Sequence, residues 1–118
     1  MEKIYEIGLL LDYYGQLLTK RQYEILDLYY NNDYSLGEIS EELGISRQGV
    51  YDNLRRGMAL LNKYESSLGL LERRFKQKDK VKFLLELVEE IDATVMNNND
   101  KEILTKIRET VKSLFDDI

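Results

Sequence analysis

The sequence predicts an all-α fold: a helix-turn-helix, a long fourth helix and a C-terminal helical hairpin. Proline is absent from all 118 residues, so no missing amide or fixed ring obliges a helix to stop. Apolar residues recur at three- and four-residue steps through most of the chain, the period of a buried helix face. The remaining punctuation consists of Gly, Asn and capping Ser or Thr residues.

Composition narrows the chemistry. The chain has no cysteine and no histidine. That excludes a disulfide framework, a zinc site and a Ser-His-Asp hydrolase. Its length suits one small domain, or one domain with a helical extension. Met1-Glu2-Lys3-Ile4-Tyr5-Glu6 lacks the basic start and apolar core of a signal peptide, and no apolar run approaches a span of about 20 residues. The expectation is a cytoplasmic protein with no membrane insertion. The net charge of -5 conceals a pattern, because the middle third is basic between acidic flanks. A pI near 4.8 argues against coating nucleic acid indiscriminately, yet leaves room for a local basic face.

The first helix is predicted from Ile4 to Tyr14, with Ile4, Ile7, Leu10, Leu11 and Tyr14 on one face and Gly15 as its stop. Thr19-Lys20-Arg21-Gln22 has the form of a capping box and opens a second helix reaching about Tyr30. Asn31-Asn32-Asp33 reads as a turn. A second capping box, Ser35-Leu36-Gly37-Glu38, opens a short third helix that ends at Leu43-Gly44. Gly44 reverses the chain with a positive φ, Ser46 caps the next helix, and Ile39, Leu43, Ile45, Val50 and Leu54 converge on one small core. Two helices joined by so tight a turn form a helix-turn-helix.

The spacing then predicts an unbroken fourth helix from Arg47 to Phe75, weakened by Gly57 and Gly69 but not ended by them. At 1.5 Å per residue it would run roughly 40 Å and need another apolar surface to lie against. Residues 79–96 place Val81, Leu84, Leu85, Val88, Ile91 and Val95 on one stripe. Asn97-Asn98-Asn99-Asp100 breaks the chain before a last helix striped by Ile103, Leu104, Ile107, Val111, Leu114 and Phe115. The two form an antiparallel hairpin. The predicted division is a helix-turn-helix domain over residues 1–65 and a helical extension over 66–118, comprising a basic joint and the hairpin, packed as one structural unit.

The segment from Leu36 through Gly44-Ile45-Ser46-Arg47-Gln48-Gly49-Val50, together with Leu18-Thr19-Lys20-Arg21-Gln22-Tyr23-Glu24-Ile25-Leu26 before it, resembles the DNA-reading fourth region of bacterial sigma factors. With its preceding helix and acidic two-helix tail, the whole chain resembles the YlxM family of small bacterial proteins. That resemblance implies a cytoplasmic, non-enzymatic regulator acting with the signal recognition particle, with the particle's GTPase or its RNA as partner. Duplex DNA is the alternative partner, in which case the protein is a DNA-binding transcription regulator.

In a helix-turn-helix the first turns of the second helix enter the major groove, which here presents Arg47, Gln48, Tyr51, Asp52, Arg55 and, on its flank, Arg56. Arg47 and Gln48 are residue types that pair with guanine and adenine edges, and Ser46 with the first free amides suits a phosphate. Asp52, Gly49 and the nearby Asp33, Glu38, Glu41 and Glu42 weigh against promoter recognition. Asp52 alternatively pairs with Arg56 four residues on, and the whole motif alternatively serves protein contact. A second candidate is the run Arg73-Arg74-Phe75-Lys76-Gln77-Lys78-Asp79-Lys80-Val81-Lys82, either a solvated joint between helices or a surface for RNA phosphates. The tyrosines are too scattered for one stacking stripe. Glu86, Glu89 and Glu90 have the spacing for a divalent metal, but without histidine a solvated acidic face is the commoner arrangement. No phosphate-cradling glycine loop occurs, and no cofactor or catalytic residue is expected. Surplus apolar surface from Leu61 to Phe75 and on the tail helices predicts a homodimer.

Overall fold

The computed structural model describes residues 3–118, with side chains from Glu6 onward. Ile4 of the expected stripe and the first residues of the amino terminus fall outside the described side chains. Among the described residues there are six α-helices and no strand: α1 (Lys3–Tyr14), α2 (Lys20–Leu26), α3 (Leu36–Leu43), α4 (Arg47–Leu68), α5 (Leu70–Glu89) and α6 (Asn98–Asp117). They divide into two compact units, Met1–Leu71 and Glu72–Ile118.

Local chemistry sets most of the first unit. Thr19 accepts from the Gln22 amide at 3.1 Å while Gln22 Oε1 accepts from the Thr19 amide at 3.1 Å, and Ser35 and Glu38 repeat the reciprocal pair. Each box satisfies two of the amides a helix start leaves unpaired. Gly44 ends α3 in the left-handed region at φ 65, and Ser40 Oγ donates to the Ile45 carbonyl at 2.5 Å, bracing the turn. Ile7, Leu10, Leu11 and Tyr14 of α1 meet Ile25, Leu26, Ile39, Val50, Leu54 and Leu61 in a core from which Leu43 and Ile45 are only half withdrawn.

Two glycines are there for space. A Cβ on Gly57 would stand 2.6 Å from Leu26 Cδ1, so this residue lets α4 close on α2. Gly15 does follow the last α-helical residue, but its φ is not positive; the chain continues through a 3-10 turn, Gly15–Leu17, and a Cβ there would meet the Tyr23 ring at 2.6 Å. The second helix also differs from expectation. It widens at Asp27–Asn31 into a π-helical turn, where the Asn32 amide reaches back five residues to the Asp27 carbonyl and Asn31 Nδ2 donates to Asp27 Oδ1.

The fourth helix is not continuous to Phe75. It ends at Leu68, Gly69 takes φ 62, and α5 begins at once. The cause is a part-buried polar junction built from distant residues. The Tyr14 hydroxyl, on a side chain only 1% exposed, donates to Glu65 Oε1 at 2.7 Å and accepts from the Leu70 amide at 3.1 Å. Glu65 Oε1 also accepts from the Leu71 amide at 3.0 Å. A carboxylate thus sits on the first amides of α5, where the helix dipole favours negative charge. Burial, then the bond to Glu65, push the Tyr14 phenol above its ordinary range.

The break also moves the boundaries of the C-terminal helices. α5 starts at Leu70 rather than near residue 79, so the basic run Arg73–Lys82 is helical and not a joint. Leu61 and Leu71 are buried in the first unit's own core, which covers that part of the surplus apolar stripe within the chain. α5 ends at Glu89, leaving Ile91 and Val95 outside it, and Val95 is 84% exposed. Asn97 belongs to α6 as its cap, accepting from the Asp100 amide at 2.8 Å. In the second unit α5 and α6 run antiparallel: Glu89 pairs with Arg108 at 3.0 Å, and the Lys78 ammonium lies over the Phe115 ring, 5.2 Å from its centroid. Val81, Val88 and Leu104 are the residues this hairpin buries.

Candidate nucleic-acid interface

Val50, Leu54, Gly57 and Leu61 turn one side of α4 into the core, which leaves its opposite side to solvent. Gln48, Tyr51, Arg55 and Arg56 are all exposed there, Tyr51 at 50%. The helix therefore presents the expected reading face, but several of its polar groups are already engaged. Ser46 Oγ accepts from the Gly49 amide at 3.0 Å, so the hydroxyl proposed for a phosphate caps its own helix.

Gln48 Nε2 donates to Asp52 Oδ1 at 3.1 Å. Asp52 thus reaches back one turn to Gln48, and among the described residues no ion pair joins it forward to Arg56. That bond takes one of the two hydrogens of the Gln48 amide and holds the side chain along the helix beside a carboxylate, away from the pose in which it would read adenine. The Arg47 guanidinium folds back over α3: a Cβ on Gly37 would stand 3.1 Å from Nη2. Gly37 makes room for this, a role that no sequence signal announced. On the neighbouring helix, Glu38 is held by the Ser35 cap, while Glu41 and Glu42 line a concave acidic surface with Tyr34.

The basic residues of α5 divide between two sides. Lys78 and Arg74 are half-buried, Lys78 against Phe115. Arg73, Lys76 and Lys80 are exposed, with Lys76 paired to Glu72 at 3.1 Å in an i,i+4 contact. Arg73, Arg74, Lys76 and Lys78 therefore do not make one phosphate-facing patch, and Lys80, left out of the sequence-based set, stands with the outward group. The α4 and α5 cations also belong to different units. As for metals, no group of three or more Asp or Glu among the described residues is arranged to hold one, and Glu89 of the acidic α5 face is taken by Arg108. No helix among them is long and apolar enough to cross a membrane.

The chain matches the profile of a helix-turn-helix family described as YlxM / p13 like over residues 1–109. A UPF0122 protein of Acetivibrio thermocellus is 53% identical over 116 residues, covering 98% of this chain and 99% of that one. A UPF0122 protein of Desulforamulus reducens is 42% identical over 118 residues, covering 97% and 100%. One from Thermoanaerobacter sp. strain X514 is 47% identical over 109 residues, covering 90% and 88%. With an all-helical fold, a capped helix-turn-helix and likeness along its whole length, the chain belongs to the UPF0122 family of YlxM / p13-like helix-turn-helix proteins.

Proposed function

We propose that this protein is a non-enzymatic, cytoplasmic regulator that acts with the signal recognition particle and contacts the particle's RNA through phosphates rather than base edges. The observation that carries this reading is the state of the α4 face. Gln48 is held to the Asp52 carboxylate on that face, and the exposed Arg47 guanidinium lies folded over Gly37. Its exposed cations, Arg55 and Arg56 beside Tyr51, remain turned to solvent. Cations without a base-reading partner favour recognition by backbone and shape, the mode that suits structured RNA. The link to the targeting particle comes from the family resemblance, not from any residue whose chemistry demands it.

Competition binding tests this at about 0.15 M salt, the range in which phosphate contacts are interpretable. Labelled protein is offered the reconstituted particle, its RNA alone, its GTPase alone and random duplex DNA. The expected order puts the particle or its RNA first, with Arg55→Glu/Arg56→Glu weakening binding and Gln48→Ala leaving it unchanged. A transcription regulator is the second reading, favoured by the exposed amino-terminal turns of α4 in a helix-turn-helix. It predicts instead that duplex DNA competes best and that Gln48→Ala and Arg47→Ala remove sequence preference. Binding to the GTPase alone, insensitive to all four substitutions, would overturn both in favour of a protein-only contact.

A further inference from the structure

We infer that the C-terminal hairpin docks face to face with the hairpin of a second copy, each α5 lying antiparallel on its partner's α6, to form a four-helix bundle. The hairpin buries little of its own apolar surface. Phe83, Leu84 and Leu87 near the end of α5 and Ile91 just beyond it, with Ile103, Ile107 and Leu114 of α6, are each between 42% and 59% exposed.

These residues form one face. On α5 the exposed stripe lies about a third of a turn from the inward line of Val81, Leu85 and Val88, on the side reached by stepping backward in helical angle. On α6 the stripe lies about a quarter turn from Leu104, Arg108 and Val111, again on the backward side. Because the helices are antiparallel, as Glu89–Arg108 and Lys78–Phe115 establish, the same sense of rotation carries both stripes to the same side of the hairpin. Glu89 lies forward of the α5 inward line, and its pair with Arg108 closes the other side.

The area points to a second copy. With roughly half of each side chain open, and about 150–200 Å² per large apolar side chain, the seven leave on the order of 600 Å² uncovered. That is the upper limit for the largest patch on a typical monomer, and two such faces give about 1,200 Å², where stable interfaces begin. Charge selects the orientation. Continued toward its start, the α5 stripe carries Lys80, Lys76 and Arg73, while the α6 stripe continues past Leu114 to Asp117. Within one hairpin these ends lie at the same level, since Lys78 touches Phe115. Laying α5 on the partner's α6 therefore sets Leu87 and Ile91 on Ile107 and Ile103, and Lys76 and Lys80 near Asp117. The alternative, α5 on α5, would carry the three cations past the end of the partner's hairpin and lose part of the overlap. Residue i then meets j and j meets i, the self-complementarity of a two-fold interface.

The test uses the full chain. Light scattering behind gel filtration at 5–100 μM is expected to give twice the 14.0 kDa chain mass, and Leu87→Glu/Ile107→Glu, at exposed positions, to raise the dimer dissociation constant at least tenfold with the helical circular dichroism unchanged. Because the chain has no cysteine, introduced thiols report the geometry cleanly. Mixing Leu87→Cys protein with Ile107→Cys protein under mild oxidation is expected to give the mixed disulfide dimer well above either homodimer. A 14.0 kDa species across that range, or Leu87→Cys coupling to itself in preference, would overturn the proposal. Mass and cross-linking are read without nucleic acid, so they stand apart from the binding assay above.

Discussion

Replacing Tyr14 by Phe isolates the junction that ends α4 and starts α5, because the ring that fills the core remains and only the hydroxyl is lost. That hydroxyl makes two bonds, to Glu65 Oε1 at 2.7 Å and from the Leu70 amide at 3.1 Å. A hydrogen bond to a charged acceptor contributes about 1.5–3 kcal/mol, and the part-buried Leu70 amide, which water can reach once its acceptor is gone, costs no more than about 1 kcal/mol. The two share one oxygen and do not add, so Tyr14→Phe is expected to destabilise by about 2–3 kcal/mol. Urea unfolding followed by circular dichroism would show this as a midpoint lowered by about 1 M, for a slope of about 1–3 kcal/mol per M. The effect also has a pH signature. The phenol is raised above 10.0 in the folded chain, so its contribution is intact below pH 10, where both states hold the proton. It is lost as pH rises through the folded value, because the unfolded chain ionises first and the folded one does not. The wild-type protein should therefore weaken above pH 10, and Tyr14→Phe should flatten that decline, leaving the part due to Tyr30, which burial also raises. A midpoint shift under 0.2 M, or an alkaline decline unchanged by the substitution, would show that the junction does not hold the break.

Three further outcomes rest on single positions. Gly57→Ala gains about 1 kcal/mol of helix propensity but brings a methyl to 2.6 Å from the fully buried Leu26, an overpacking of about 1–3 kcal/mol, so thermal melting should show a net loss of about 1 kcal/mol. Gly44→Ala meets no atom within 4 Å, so only the left-handed backbone at φ 65 resists it; calorimetry should find a loss of about 1–2 kcal/mol, and a smaller one for Gly44→Asn. The Asp92 carboxylate is held below its ordinary 3.8 by hydrogen bonds from the Thr94 hydroxyl and amide. Its support for the turn before α6 is therefore present above pH 3.8 and lost as pH falls through the lower folded value, which titration of the Thr94 amide resonance should track and Thr94→Val should shift upward.

The features legible in the sequence share one property: each contact closes within a few residues. The Thr19–Gln22 and Ser35–Glu38 boxes and the cap at Ser46 are i to i+3 interactions, and the turn at Gly44 closes back on Ser40 within five residues, so their residue types carry the whole instruction. Gly69 carries the same instruction as Gly44 and takes the same left-handed conformation, at φ 62. Its signal is masked because α5 resumes after a single residue, so Leu68, Leu71 and Phe75 keep three- and four-residue spacing straight through the break. Apolar periodicity does not register a bend that preserves phase. The bend is decided by the Tyr14 hydroxyl on the Leu70 amide, 56 residues apart in sequence, and no window along the chain contains both.

The candidate interface divides along the same line. That α4 exposes Gln48, Tyr51, Arg55 and Arg56 is dictated by the positions of Val50, Leu54 and Leu61, and the sequence shows it. Whether those side chains are available depends on choices among partners of equal spacing. Asp52 has Gln48 four residues before it and Arg56 four residues after it, and helix geometry permits either. The folded chain takes Gln48. This holds the Gln48 amide to a carboxylate by one of its two hydrogens and leaves a cation outward, so a substitution that frees Gln48 shifts the face toward sequence reading. Asp52→Ala is the sharpest such change, since it also removes a negative charge from the face. It should strengthen binding to any nucleic acid and strengthen duplex DNA more than structured RNA, as competition at about 0.15 M salt can measure. Equal strengthening of both would mean that the carboxylate acts by charge alone and that its bond to Gln48 does not govern what the helix reads.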